Sequence, residues 1–187
     1  MSVTSAKSGA TGISLALDNN YMEPIATTLV GSSGATAISF NDIPQTYKHL
    51  QIRMIAFGDS GANVNLTINS DSGTNYSYHR LSGNGSAASA TNVTSFTSAF
   101  LTDATFNGLE PTTYPSVSVV DILDYTNSNK NKTIRVLTGI DKNGVGGSIQ
   151  IFSNAWYSTS SIVSLKLFGN GGNLNQYSRF SLYGIKG

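Results

Sequence analysis

The chain has 187 residues, with 11 basic and 10 acidic side chains, a net charge of +1 and no cysteine. The length suits one domain with its own hydrophobic core. The lack of cysteine excludes disulfides and thiolate metal sites. The chain has no run of basic residues of the kind that indicates nucleic-acid binding. It also has no apolar run of about 18 residues that could span a membrane. We therefore expect neither nucleic acid nor a membrane as a partner.

The first part of the chain, residues 1 to 22, is rich in small residues and shows no sustained periodicity. We interpret it as an extended N-terminal arm. Ile13, Leu15 and Leu17 supply apolar side chains with which this arm could pack against a partner. Residues 23 to 187 are expected to form a single domain.

The composition of the chain favours β-structure. Ser, Thr, Asn and Gly together account for 83 of the 187 residues, and there are 9 Tyr and 8 Phe. Ser, Thr and Asn side chains compete for backbone hydrogen bonds and suit turns and strands better than helix interiors. The composition therefore predicts an all-β protein.

Hydrophobic alternation locates the strands. HLQIRMIAF (49–57) and NVNLTIN (63–69) alternate apolar and polar residues, as half-buried strands do. PSVSVVDILDY (115–125) is apolar on both faces, which is typical of a central strand that is covered on both sides. SGNGSAASATN (82–92) contains mainly small residues, and we interpret it as a long surface loop.

The spacing of these segments predicts the fold class. Nine or ten strands follow one another at roughly even intervals, separated by Gly, Asn or Pro turns, without a helical stripe. Strands without helical crossovers pair antiparallel, and this number favours two packed sheets. We predict an antiparallel two-sheet sandwich of jelly-roll type. An immunoglobulin-type sandwich is the alternative, which the strand count and the lack of a Cys-Trp-Cys frame disfavour.

Metal-binding and catalytic patterns are weak. The two histidines, His49 and His79, lie on different predicted strands without the spacing of a zinc site. Ser77, His79 and Asp71 could be drawn as a hydrolytic set, but the chain has no nucleophile elbow. Asp121 and Asp124 would point to opposite faces of a strand, which argues against a shared carboxylate site. We expect no enzyme activity and no cofactor.

Aromatic residues are the better candidates for a functional surface. Within DSGTNYSYHRL (71–81), alternation places Tyr76, Tyr78 and Arg80 on one strand face, and Tyr and Arg are frequent in interfaces. Consecutive strand residues point to opposite faces, so Trp156 and Tyr157 cannot both face inward. We predict that these five residues contribute to contacts with a partner, while core packing is the alternative for their rings.

Four segments carry a resemblance to a known group. They are AISFNDIPQTYKHLQIR (37–53), DSGTNYSYHRLSGNG (71–85), VDILDYTNSNKNKT (120–133) and FSLYGIKG (180–187). In these segments and their order, the chain resembles small virion structural proteins of tailed bacteriophages, of capsid-decoration or tail-appendage type. The resemblance covers about residues 23 to 187 and leaves out the arm. It implies a jelly-roll-like module on the exterior of the virion, without catalytic residues.

Two functions follow from this resemblance as hypotheses. The first is a capsid decoration or cement protein that stabilises the shell. Its expected partners are copies of itself, as a homotrimer, and the major capsid protein or tail proteins. The second is a tail-fibre or receptor-binding module that contacts host surface glycans through exposed tyrosines and the predicted 82–92 loop.

Overall fold

The computed structural model describes residues 21–102, 109–111 and 113–187. These residues form strands, turns and bends. They include no helix long and apolar enough to cross a membrane. The predicted N-terminal arm, with Ile13, Leu15 and Leu17, lies outside the described residues.

Twelve strands are present in the described residues. They are Met22–Leu29 (β1), Ala37–Phe40 (β2), His49–Ala56 (β3), Asn63–Ile68 (β4), Tyr76–Gly83 (β5), Ala88–Phe96 (β6), Ala99–Phe100 (β7), Ser116–Leu123 (β8), Lys132–Asp141 (β9), Gly147–Trp156 (β10), Leu165–Asn170 (β11) and Arg179–Ile185 (β12).

These strands form two antiparallel sheets. The large sheet has eight strands in the order β1-β12-β3-β8-β9-β10-β5-β6, and the small sheet has four in the order β2-β11-β4-β7. The sequence prediction of an all-β, two-sheet antiparallel sandwich is confirmed.

The core lies between the sheets and is built by period-two alternation. In β3, Leu50, Ile52 and Met54 are buried, whereas Arg53 between them points outward. In the small sheet, Leu165 and Leu167 of β11 are fully buried and pair with residues of β2 and β4. The large sheet therefore has an inner face that meets the small sheet and an outer face that points away from it.

Residues 82–92 form a hairpin rather than the long surface loop that we predicted. β5 continues to Gly83, a short turn follows, and β6 begins at Ala88. The amide of Asn84 donates to the carbonyl of Ala87, and the Asn84 side chain accepts from two backbone amides in the turn. The segment thus adds an edge strand to the large sheet.

Gly184 in β12 is required by close packing. An added Cβ would overlap the ring of Tyr47, which also donates from its hydroxyl to Glu23 Oε2 (2.9 Å). We expect Gly184→Ala to lower the free energy of unfolding by about 1–3 kcal/mol, because the ring must move. Urea denaturation measures this change.

A matched variant checks the Gly184 prediction. Gly31 has no atom within 4 Å of the place where a Cβ would stand, and its φ is not positive. Gly31→Ala should be neutral or stabilise the protein by up to about 1 kcal/mol, because it restricts the unfolded chain. Equal effects of the two variants would contradict the packing explanation.

Candidate interaction surface

The predicted contact face of β5 is part of the core, which corrects the sequence interpretation. Tyr76, Tyr78 and Arg80 do share one face, but that face points inward, and all three side chains are buried. The Tyr78 ring lies 5.7 Å from that of Phe152, centroid to centroid, in an edge-to-face arrangement. The side chains of β5 that are exposed to solvent are instead His79 and Leu81.

The segment before β5 is a structural turn. Asn69 and Ser70 both have positive φ, and the Asp71 amide donates to the Ile68 carbonyl (2.9 Å), which defines a type I′ turn at the end of β4. The Tyr76 hydroxyl then accepts from the Ile68 amide (3.0 Å) and donates to the Asp71 carbonyl (3.1 Å). These bonds fix the passage of the chain from the small sheet to the large one.

The Asp71 carboxylate is the centre of this turn. It accepts hydrogen bonds from Trp156 Nε1 (2.7 Å), the Gly73 amide (2.8 Å) and Asn75 Nδ2 (3.0 Å). Burial alone would raise the pKa of Asp71, but the bonds from Trp156, Asn75 and Gly73 outweigh it and hold the pKa below its ordinary value. Burial also raises the pKa of Tyr76 to about 12. Both groups keep one protonation state near neutral pH.

Trp156 and Tyr157 separate as expected for consecutive residues. Trp156 is buried, and Tyr157 is 48% exposed. Tyr157 is thus the one of the five aromatic and arginine candidates that stays accessible to a partner. Its amide donates to the Asn75 carbonyl (2.8 Å), so the backbone at this position is anchored to the Asp71 turn.

The two carboxylate candidates, Asp121 and Asp124, are engaged in structural contacts. No group of three or more His, Asp or Glu that could hold a metal occurs among the described residues. Asp121 accepts from Gln51 Nε2 (2.8 Å), whereas Asp124 pairs with Lys48 (3.2 Å) and Lys130. Those two lysines hold the pKa of Asp124 below its ordinary value, Lys130 with the larger effect.

The outer face of the large sheet carries an unusual set of exposed aliphatic side chains. Six of them are between 42% and 59% exposed, and we call this set the outer patch. Its members are Ile55, Leu81, Val117, Leu137, Ile149 and Ile151.

Strand register makes the outer patch continuous. Across β9, β10 and β5, Leu137 pairs with Ile151, and Ile151 pairs with Leu81. One row further along the strands, Ile55 of β3 pairs with Val117 of β8. Directly opposed strand residues have Cβ atoms about 5 Å apart, and the two rows adjoin at the diagonal neighbours Val117 and Leu137, about 7–8 Å apart. These side chains therefore form one surface rather than scattered exposed residues.

The other half of the outer face is polar and internally paired. Arg53 Nε donates to Gln51 Oε1 (3.0 Å), Gln51 donates to Asp121, and Asp121 lies opposite Arg135 in the register of β8 and β9. Arg53 also lies over the ring of Tyr183, 5.7 Å from its centroid. Gln51, Arg53 and Asp121 are thus linked to one another, whereas none of the described residues covers the apolar half.

An open depression of about 860 Å³ lies over the outer patch. Its floor includes Val117, Leu137 and Ile149, and its walls are the glycine-rich turns at 83–85 and 144–147. Glycine walls present backbone rather than side chains, so the depression can accept an apolar side chain from a partner together with backbone hydrogen bonds.

Comparisons of the chain with protein-family models, with curated proteins and with solved structures found no match. The described part of the chain is an all-β two-sheet sandwich whose large sheet has an exposed apolar outer face.

Proposed function

We propose that this protein is a structural component of a tailed-phage virion, mounted on the exterior of the particle as a capsid decoration or cement protein. The observation that carries the proposal is the outer patch. Contiguous exposed apolar patches are characteristic of interaction sites, and contact with another protein is the use that we propose for this one. The sequence resemblance to virion structural proteins is the reason for proposing that the partner belongs to a phage particle.

The residues of β8 support this proposal. β8 lies inside the large sheet, between β3 and β9, and it has the two-sided apolar pattern of a strand that is covered on both faces. Val120 and Ile122 are buried by the core, whereas Val117 on the outer face is half exposed. A partner on the outer face would provide the second cover that this pattern predicts.

The size of the outer patch limits the binding free energy that a single contact can provide. Six half-exposed aliphatic side chains expose on the order of 500 Å², which is within the range of the largest apolar patch on a typical monomer, a patch that is often functional. At about 25 cal/mol per Å², covering it contributes on the order of 10 kcal/mol. Association costs a similar amount in lost translational and rotational freedom. Many copies on one symmetric particle would add avidity, which suits a cement protein.

The strand order supports the jelly-roll type. The small-sheet order β2-β11-β4-β7 and the β3-β8 pairing of the large sheet join distant segments of the chain, whereas β5-β6 is a hairpin, a combination found in two Greek keys. The β9–β10 hairpin is inserted between β8 and β5, and β1 and β12 extend the sheet beyond β3. In this proposal the inserted hairpin is functional, because it supplies Leu137, Ile149 and Ile151 of the outer patch.

The second hypothesis, a receptor-binding module for host glycans, has less support. It depended on a long loop at 82–92 and on exposed tyrosines. The segment is a hairpin, whereas Tyr157 and Tyr177 are exposed. A location of the same structural module on the tail instead of the capsid stays the alternative.

The test of the proposed function is binding to virions that lack the protein. Wild-type protein should bind, and cryo-electron microscopy should place it on the shell with the outer face covered. Leu137→Glu and Ile151→Glu should each weaken binding at least about 10-fold, because each buries a charge in an apolar contact.

Val163→Glu is the matched control for these variants. Val163 is 48% exposed, similar to the patch residues, but it precedes β11 and lies outside the large sheet. The Val163→Glu variant should bind to the virions as tightly as the wild-type protein does. Equal losses in all three variants would contradict a specific role of the outer patch, and density at the tail tip alone would contradict capsid decoration.

A further inference from the structure

We infer that the free edge of β6 pairs antiparallel with the β6 edge of a second copy of this chain, so that two large sheets form one continuous sheet. β6 is the last strand in the order of the large sheet, and no strand among the described residues pairs with its outer side. Such an edge presents unpaired backbone amides and carbonyls to solvent.

Over residues 88–93, where its register with β5 is regular, the β6 edge lacks the features that protect edges from pairing. Charged residues, proline, bulges and short length prevent edge-to-edge association. The other edge of the large sheet, β1, has Glu23, Pro24 and a register shift between Pro24 and Ala26. The edges of the small sheet, β2 and β7, have four and two residues. β6 has nine residues, and the whole stretch 81–102 contains neither charge nor proline. Its register shift and the positive φ of Ser95 fall after Val93, so residues 88–93 remain a regular edge.

The chemistry of β6 favours its own copy as the partner. An uncharged edge does not select a charged strand, and it meets no repulsion from an identical one. A two-fold axis perpendicular to the sheet makes the two β6 strands antiparallel and keeps their equivalent faces on the same side. Each residue of one strand then opposes a residue of the other, and the two residue numbers always add up to the same even number. An axis at Ala90 places Ser89 opposite Thr91 and Ala90 opposite itself. Small and β-branched residues therefore meet without steric conflict.

The same axis has a consequence for the outer patch. It keeps the outer faces of both large sheets on the same side. The row that runs Leu137, Ile151, Leu81 and Ala90 would then continue into the Ala90 and Leu81 of the second copy. Two patches would thus lie on one surface of a two-fold dimer, which is not the homotrimer that the sequence led us to expect. The pairing itself is measured on purified protein without particles, so it stands or falls independently of the proposed virion role.

Single cysteines test the pairing directly, because the native chain has none. One cysteine is placed at a time at residues 88, 89, 90, 91 and 92, and the covalent dimer is measured after mild oxidation. Antiparallel pairing should give a sharp maximum at one position. Two residues away, the two thiols separate by about 13 Å, because the rise per residue is about 3.3 Å in each strand. Val145→Cys, 85% exposed in the β9–β10 turn, is the control and should give little dimer.

Sedimentation equilibrium provides the second measurement. An edge contact buries less area than a standard interface, so a reversible dimer is expected at concentrations up to about 1 mM. Ala90→Lys should weaken the dimer at least about 10-fold through opposed like charges, and Val163→Lys should not. Mixing Ala90→Lys with Ala90→Glu should restore the dimer, because opposite charges then face each other.

Several outcomes would overturn the inference. They are a monomer at every concentration, a trimeric mass, or a uniform cross-linking profile along β6. A dimer that Leu137→Glu abolishes and Ala90→Lys leaves intact would show that copies associate through the outer face. Wild-type virion binding together with a strictly monomeric mass would leave the proposed function standing and reject the β6 pairing alone.

Discussion

Replacing Lys132 with methionine is expected to lower the free energy of unfolding by about 2–4 kcal/mol. Lys132 begins β9, and its side chain is fully buried. Its ammonium group donates to the carbonyl oxygens of Asn127 (2.7 Å), Lys130 (3.2 Å) and Thr159 (3.0 Å). Methionine keeps the length and the apolar stem but donates no hydrogen bond, so three acceptors lose their donor at once.

The buried ammonium is held by a balance of opposing effects. Burial lowers the pKa of Lys132, and the positive charge of Lys130 lowers it further. Hydrogen bonds to three carbonyl oxygens act in the opposite direction, because they stabilise the charged form. The side chain ties the β8–β9 turn to the segment after β10, two parts of the chain that share no strand pairing.

Lys130→Met is the matched control, the same substitution two residues away. The Lys130 side chain is more than half exposed and pairs with Asp124 at the surface. Its loss should have a much smaller effect, since exposed ion pairs contribute little. Urea titrations at pH 7 with equal m-values measure both changes. A loss below about 1 kcal/mol for Lys132→Met would mean that water replaces the ammonium at the three carbonyls.

The sequence was sufficient for the strands that have one apolar and one polar face. β3 and β4 were predicted within one residue at each end, because burial of a single face imposes period-two alternation. The first part of β6, residues 88–92, was missed because that alternation is absent there. Its side chains are small and mostly exposed, so no apolar alternation exists to reveal an edge strand.

The orientation of a strand was harder to predict than its existence. In β5 the alternation was found, but the tyrosines and the arginine were assigned to a partner contact because Tyr and Arg are frequent in interfaces. Tyr76 is buried with its hydroxyl fully bonded, and Leu81 is exposed instead. β10 has the same property: Gln150 and Asn154 point inward, and Ile149 and Ile151 point outward.

Asn154 shows why a polar residue can occupy an inward position. Its Oδ1 accepts from the Phe100 amide (3.0 Å), and its Nδ2 donates to the Phe100 carbonyl (3.1 Å). The side-chain amide thus completes the pairing of β7, a strand of only two residues. Such compensation depends on residues far apart in the chain, so alternation alone could not predict the outer patch.

Asp71→Ala is expected to lower the free energy of unfolding by about 2–3 kcal/mol, because the Trp156 indole N–H would be left buried without its acceptor and two further donors would lose theirs. Asp141→Ala is the matched control. Asp141 is also a turn aspartate, but it is exposed and its side chain accepts one bond, from the Gly144 amide (3.1 Å). Its loss should cost less than about 1 kcal/mol. Similar losses in both variants would mean that Asp71 stabilises only its own turn and that its hydrogen bond to Trp156 adds nothing further.

The pH dependence of Asp71→Asn separates the charge of this carboxylate from its shape. The pKa of Asp71 is lower in the folded protein than its ordinary value, so the stabilisation is present at neutral pH and is lost as the pH falls through the folded pKa. The wild type should therefore be more stable than Asp71→Asn at pH 7, and this difference should shrink towards about pH 2. The comparison cancels the acid response of Asp124, which both proteins share. A difference that stays constant with pH would show that Trp156 needs an acceptor at this position but not a negative charge.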